Sequence, residues 1–185
     1  VLVSQVMPMT SVDPLSFFYN GRTVCQGNRF YWSDIEGMKM AGVGSAIDLK
    51  GYQSRRFHTI EKEWLGYLKH AILDVEYEKG TGPLLMGGAT FDPDKRKGEV
   101  WGNFPDADFV VPQFLLTKNN SGTWLTVNIL VKGNELSGEA TNSLTQKLEY
   151  LLETSYTIDE VIANELSIKE ISPKAWLDAV SRMAE

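Results

Sequence analysis

Hydrophobic residues recur along this chain with two periods, and each period predicts a different kind of element. The clearest helical stripe is Phe57, Ile60, Trp64, Leu68, Ala71, Ile72 and Val75, at three- and four-residue steps. It predicts a helix over 54–75, capped by Ser54 and terminated by Gly80, Gly82 and Pro83. Leu144, Leu148, Leu151 and Leu152 predict a second helix over 141–154. Ser172-Pro173 opens a third, with Trp176, Val180 and Met183 as its inward stripe. Asp13-Pro14 starts a short turn or helix, a capping residue followed by proline at the first helical position.

Period-two and compact apolar runs predict strands. Residues 1–7 alternate and stop at Pro8, and the aromatic run 29–33 suits a strand. Further strands are expected over 38–49, softened by two glycines, and over 83–91, 109–117 and 123–131. In the last, Leu125, Val127, Ile129 and Val131 form a buried face, opposite a partly wet face of Thr126, Asn128 and Leu130. Asn119-Asn120-Ser121-Gly122 reads as a hairpin loop, which makes the flanking strands antiparallel. Strands, a helix, more strands and then helices predict an α+β fold: a largely antiparallel mixed sheet packed against helices, in one domain spanning 1–185.

Composition narrows the functional classes. Apolar residues make up 43% and charged residues 23%, which argues against wholesale disorder. The net charge of -6 offers no basic face for a nucleic-acid partner. The longest apolar runs, 109–111 and 114–116, are too short to cross a bilayer. Cys25 is the single cysteine, and residues 1–7 do not read as a signal peptide, so a reducing cytoplasm is expected. The chain starts at Val1 and ends at Glu185 within a helical pattern, so a portion of a longer protein is expected.

Several motifs imitate functional sites. Gly42-Val43-Gly44 lacks the third glycine of a dinucleotide fingerprint, and Ile47 stands in its place. The glycines fit better a strand that another segment approaches closely. Lys79-Gly80-Thr81-Gly82 lacks the spacing of a phosphate loop. His58 and His70, twelve residues apart on one predicted helix, would be about 18 Å apart along its axis and cannot share a metal. Cys25 fits a small buried apolar residue better than a nucleophile. Asp92, Asp94, Asp106 and Asp108 lack the spacing and closing glutamate of a calcium loop, and Asp92-Pro93-Asp94 with 95–98 suits a solvated turn. Trp32, Trp64, Trp101, Trp124 and Trp176 are expected in the core. Trp101 to Pro105, with Pro112, reads as a packed corner. Gly87-Gly88 is expected to be a close-packing point in a central strand, so that Gly88→Val would destabilise the fold.

One ordered series of residues carries more than any single motif. Arg29-Phe30-Tyr31-Trp32 precedes Gly42-Val43-Gly44-Ser45-Ala46, then Arg56-Phe57 with Trp64. Gly82-Pro83, Gly87-Gly88 and Phe91-Asp92-Pro93 follow, then Trp101 with Phe104-Pro105. Phe109 with Pro112 and Leu115-Leu116, and lastly Trp176 with Val180, complete it. In this order the chain resembles the N-terminal portion of isochorismate synthases, chorismate-binding enzymes that convert chorismate to isochorismate. The forms Gly-Gly-x-x-Phe-Asp and Trp-x-x-Phe-Pro look most similar to menaquinone-pathway members, with siderophore-pathway members second.

The resemblance implies a scaffold half of a larger fold. In the family a lysine base, a glutamate acid and magnesium-holding carboxylates lie beyond the segment that matches here. No catalytic, cofactor-binding or metal residue is therefore carried onto this chain, and it is expected to be inactive alone. Magnesium and the substrate chorismate are expected to engage the complete enzyme through its other half. An exposed apolar docking face, and with it self-association, is expected of this portion. The alternatives are a portion of a salicylate or anthranilate synthase, or a free-standing binding module.

Overall fold

The computed structural model describes residues 1–10, 12–25, 27–73, 78–94, 98–133, 138–153 and 173–184. Nine strands are described: Leu2–Met9 (β1), Arg29–Ser33 (β2), Lys39–Val43 (β3), Ile47–Gly51 (β4), Ile72–Leu73 (β5), Met86–Ala89 (β6), Ala107–Val111 (β7), Phe114–Asn119 (β8) and Gly122–Leu130 (β9). The helices are Pro14–Val24 (α1), Arg56–Leu68 (α2), Gly138–Leu152 (α3) and Pro173–Ala184 (α4). The strands form two sheets, one of order β2-β3-β8-β9-β1-β5 and one of order β4-β7-β6. Every described pairing is antiparallel except the short β1–β5 contact, which is parallel. The class is α+β and mostly antiparallel as expected, but with two sheets instead of one.

Local chemistry explains the elements that match their prediction. Asp13 caps α1 by accepting the Ser16 N–H at 2.9 Å, and Pro14 supplies the first turn. β2 covers the predicted residues. β8 and β9 form the predicted hairpin, with Asn119 paired to Gly122. The Asn119 side chain closes the loop by accepting the Ser121 N–H at 2.7 Å.

Two predicted strands are each split in half. The run 38–49 breaks at Gly44, whose φ of +72° no β-branched or bulky residue tolerates well. The run 109–117 breaks at Pro112-Gln113. In each case one half joins the large sheet and the other the small sheet. The two breaks lie side by side, because Gln113 N–H donates to the Gly44 carbonyl and Ala46 N–H to the Val111 carbonyl. Asn128, fully buried, pins the corner: its side chain donates to the Pro112 carbonyl at 2.8 Å and its backbone to Gln113. Gly42 faces the same corner, where a Cβ would stand 2.8 Å from the Pro112 ring.

Other boundaries shift for identifiable reasons. β1 continues through Pro8, because β5 pairs only with Val3 and Ser4 and leaves an open edge where the proline needs no donor. The 54–75 helix shortens to α2, preceded by a 3₁₀ turn at Gln53–Arg55, and Ser54 makes no capping bond. Ile72 belongs to β5 instead, and Val75 lies outside the described residues. The strand expected over 83–91 is reduced to β6, an edge strand. In β9 the face expected to be wet is buried: Thr126 and Asn128 are both fully enclosed. Thr126 Oγ1 accepts the Gly82 N–H and the Asn128 side-chain NH2 donates to the Pro112 carbonyl, while Asn128 Oδ1 is buried without a hydrogen-bond partner.

The described residues form two core compartments. Phe17 of α1 and Leu151 of α3 pack on Ala41, Val43, Phe114, Leu116 and Leu125 of the large sheet. Ile60 of α2 packs on Ile47, Leu49, Ala107 and Val111 of the small sheet, with Leu2. The predicted stripe of α2 is rotated: Phe57 is exposed, and the buried positions start at Arg56 and continue through Ile60. The α4 stripe departs furthest from expectation. Trp176, Val180 and Met183 are exposed, so they cover no core among the described residues, and Ser172 lies outside those residues.

Candidate functional site

An open groove of about 870 Å3 lies above the small sheet. That volume falls within the range of small-molecule sites, about 300–1,000 Å3. The alternation Ile47-Asp48-Leu49-Lys50 explains its floor: Ile47 and Leu49 face the core, while Asp48 and Lys50 are exposed and line the groove. Asp108 and Val110 of β7 and Gly88 of β6 complete the floor, with Lys50 in register opposite Asp108 and Asp48 opposite Val110. One wall is the approach to β2, from Gly27 to Phe30. The other carries Trp101, Phe104 and Pro105.

The walls are held by different forces. The Arg29 guanidinium lies 4.7 Å from the centre of the Phe18 ring and donates to the Phe18 carbonyl at 3.1 Å, which ties β2 to α1. Trp101 and Phe104 contact each other with ring centroids 5.5 Å apart, yet are 62% and 56% exposed. Their turn is closed by Trp101 N–H donating to Gly98 and Phe104 N–H donating to Trp101. The corner expected to be packed is therefore an exposed aromatic wall. The groove offers carboxylates, an ammonium, aromatic faces and open glycine backbone, which is binding chemistry. No histidine or thiol lines it.

Gly87 and Gly88 have opposite roles. A Cβ on Gly87 would collide with the Asp108 carbonyl and stand 2.7 Å from the Phe109 Cα, whereas one on Gly88 would meet nothing within 4 Å. The close-packing position is thus Gly87, on an edge strand, and Gly88 is open floor. The expectation that Gly88→Val destabilises the fold is corrected accordingly.

The remaining candidates are dispersed. Lys79 to Gly82 straps the polar face of the large sheet. Thr117 Oγ1 donates to the Gly80 carbonyl at 2.6 Å, and Gly82 N–H donates to Thr126 Oγ1 at 3.1 Å. The Gly82 amide that an anion would need is thereby occupied. Cys25 ends α1, packs against the first core and donates its thiol to the Asn28 carbonyl at 3.3 Å. His58 is exposed on α2 with Glu61 4.0 Å away, and His70 falls in the turn after that helix, not on it. Asp92 accepts the Asp94 N–H at 3.0 Å in an exposed turn, as expected, while residues 95–97 lie outside the described residues. Asp106 is buried and accepts the Gln53 N–H at 2.6 Å, and Asp108 is on the groove floor. Of the tryptophans expected in the core, Trp32, Trp101 and Trp176 are exposed, and Trp64 packs beside the second core. Among the described residues no group of three or more His, Cys, Asp or Glu side chains converges as a metal site. No helix among them is long and apolar enough to cross a membrane.

Two sheets sharing a bent corner, helices on their core faces and an open mixed-polarity groove define an α+β scaffold with a binding surface. The pattern of the family described as "Chorismate binding enzyme" matches residues 1–185, and the chain belongs to that family. It is 33% identical to "Isochorismate synthase MenF" of Bacillus subtilis, over 97% of this chain and 40% of that protein. It is 31% identical to "Salicylate biosynthesis isochorismate synthase" of Pseudomonas aeruginosa, over 60% of this chain and 22% of that protein. The chain thus spans well under half the length of these curated relatives. The solved structure of MenF, the menaquinone-specific isochorismate synthase of Escherichia coli, matches 92% of this chain and 32% of its own, at 14% identity and a TM-score of 0.49.

Proposed function

We propose that this chain is the N-terminal, scaffolding portion of an isochorismate synthase of the menaquinone route, and that it is inactive when isolated. The observation that carries this reading is the 33% identity to the B. subtilis enzyme over nearly the whole chain, covering 40% of that enzyme. In the longer enzyme a base activates water for attack on the chorismate ring while an acid assists departure of the ring hydroxyl. The family's lysine, glutamate and magnesium carboxylates have no matching positions here. Magnesium is proposed for the complete enzyme only: the described residues gather no carboxylate cluster that fits it, and no step is assigned to it in this chain. The lone Cys25 supports a cytoplasmic location. The exposed stripe of Trp176, Val180 and Met183 supports a docking face for the rest of the enzyme, and self-association of the chain without it.

The similarity to the Pseudomonas protein keeps a second reading, a portion of a siderophore-route or salicylate-forming enzyme. A product assay separates an isochorismate-forming enzyme from a salicylate- or anthranilate-forming one. The longer polypeptide that carries this chain, supplied with chorismate and magnesium, is expected to accumulate isochorismate. Salicylate or anthranilate as the product would favour a sister enzyme, and no turnover of chorismate by that polypeptide would reject the assignment.

A further inference from the structure

Arg56 is a costly residue in its position. It occupies the first place in the buried stripe of α2, where an aliphatic side chain would avoid burying a cation. It is 8% exposed, and its Nε atom is buried without a partner. Beside it, Gln53 is the one non-glycine among the described residues with positive φ, at +57°. Gly51 completes the constraint, because a Cβ there would strike the Arg56 backbone. Strain and a buried charge persist together only where the surroundings over-determine them.

What over-determines them is a closed ring of hydrogen bonds. Gln53 N–H donates to the Asp106 carboxylate at 2.6 Å. The Asp106 carbonyl accepts the Thr90 N–H at 2.7 Å and the Thr90 hydroxyl at 3.2 Å. The Thr90 carbonyl accepts from Arg56 Nη2 at 3.1 Å. Arg56 Nη1 returns to the Gln53 carbonyl at 3.3 Å, which closes the circuit.

The position of this ring gives it a consequence. Thr90 and Asp106 flank the loop 91–105 between β6 and β7, and Phe104 and Pro105 of the groove wall immediately precede Asp106. A loop of this length has many conformations unless its base is fixed. We infer that Arg56 and Asp106 clamp the base of this loop, and thereby hold Trp101 and Phe104 in place over the groove. Arg56 is then a positioning residue, joining the start of α2 to a wall it does not form. The aromatic corner moves with its base, because its own turn is closed by the Gly98–Trp101 and Trp101–Phe104 hydrogen bonds.

Hydrogen exchange of the 185-residue chain, read by mass spectrometry, tests the clamp. Arg56→Ala is expected to speed exchange in the 98–106 segment about tenfold or more, while the 114–130 segment stays within about twofold of the parent. Arg56→Lys keeps the charge but reaches one carbonyl instead of two, and an intermediate acceleration confined to 98–106 is expected. If Arg56→Ala does not fold, the lysine variant alone decides. Equal acceleration of both segments would show a general loss of stability and overturn the clamp. Unchanged exchange at 98–106 in a folded variant would overturn it as well.

Discussion

Gly87→Val is expected to destabilise the chain by about 3 kcal/mol, whereas Gly88→Ala changes stability by no more than about 0.5 kcal/mol. The two positions are adjacent on β6, so propensity and strand pairing are nearly the same for both. They differ in what a side chain would meet. At Gly87 the obstacle is backbone, the Asp108 carbonyl and the Phe109 Cα, which cannot rotate aside as a flexible side chain would. Since Gly87 is in register with Phe109, relieving the collision means parting β6 from β7. At Gly88 the added methyl projects into the groove. Urea denaturation of both variants measures the difference. A Gly87→Val chain with the parent midpoint, or a larger loss at Gly88, would contradict this packing.

The second large effect is expected at the centre of the first core. Phe114 is 1% exposed and lies on β8, in register with Val43 of β3 and Val127 of β9. Phe114→Ala removes a ring from a site enclosed by sheet and helices and leaves a cavity that β-strand backbone cannot collapse to fill. A loss of about 3–5 kcal/mol is expected. That is a large share of the roughly 5–15 kcal/mol that holds a domain of this kind. The urea midpoint should fall with the slope of the transition unchanged. A loss under about 1 kcal/mol would mean that the compartment between α1, α3 and the large sheet is not the stabilising core.

The elements of the fold differ in how far the sequence alone reveals them. Elements fixed by local chemistry are legible in the sequence. Asp13-Pro14 sets the start of α1, the aromatic run gives β2, and Asn119 to Gly122 closes the β8–β9 hairpin. Elements fixed by a distant partner are not. An apolar run reports burial, and burial continues as a strand crosses from one sheet to another, so the breaks at Gly44 and Pro112 are invisible to periodicity. The shift of the α2 stripe onto Arg56 has the same origin, because its hydrogen-bond acceptors at Gln53 and Thr90 come together only in the folded chain.

The groove was partly legible. The alternation in Ile47-Asp48-Leu49-Lys50 already sets two charged residues on one face of a short strand. The signal is masked because the apolar positions continue from β3 into β4 across the break at Gly44. Trp101 and Phe104 have the size of core residues, since large aromatics bury surface readily, yet they stand exposed on a loop whose flanking residues Thr90 and Asp106 are bonded to Arg56 and Gln53. Asp92 and Asp94, which resemble ligands in isolation, form a local turn that short-range spacing does predict. The family resemblance drew on residues that shape the scaffold, among them Arg56, Gly87 and Pro112, and the structure gives each a packing or bonding role.

The assignment of this chain as scaffold, with the chemistry carried by other parts of a longer enzyme, is tested most directly by chorismate turnover. The purified 185-residue chain would be incubated with chorismate and magnesium, and isochorismate measured against a control without protein. No product above that control is expected at any chain concentration. Isochorismate formed in proportion to the amount of chain would contradict the assignment, since it would place a complete catalytic centre within these residues.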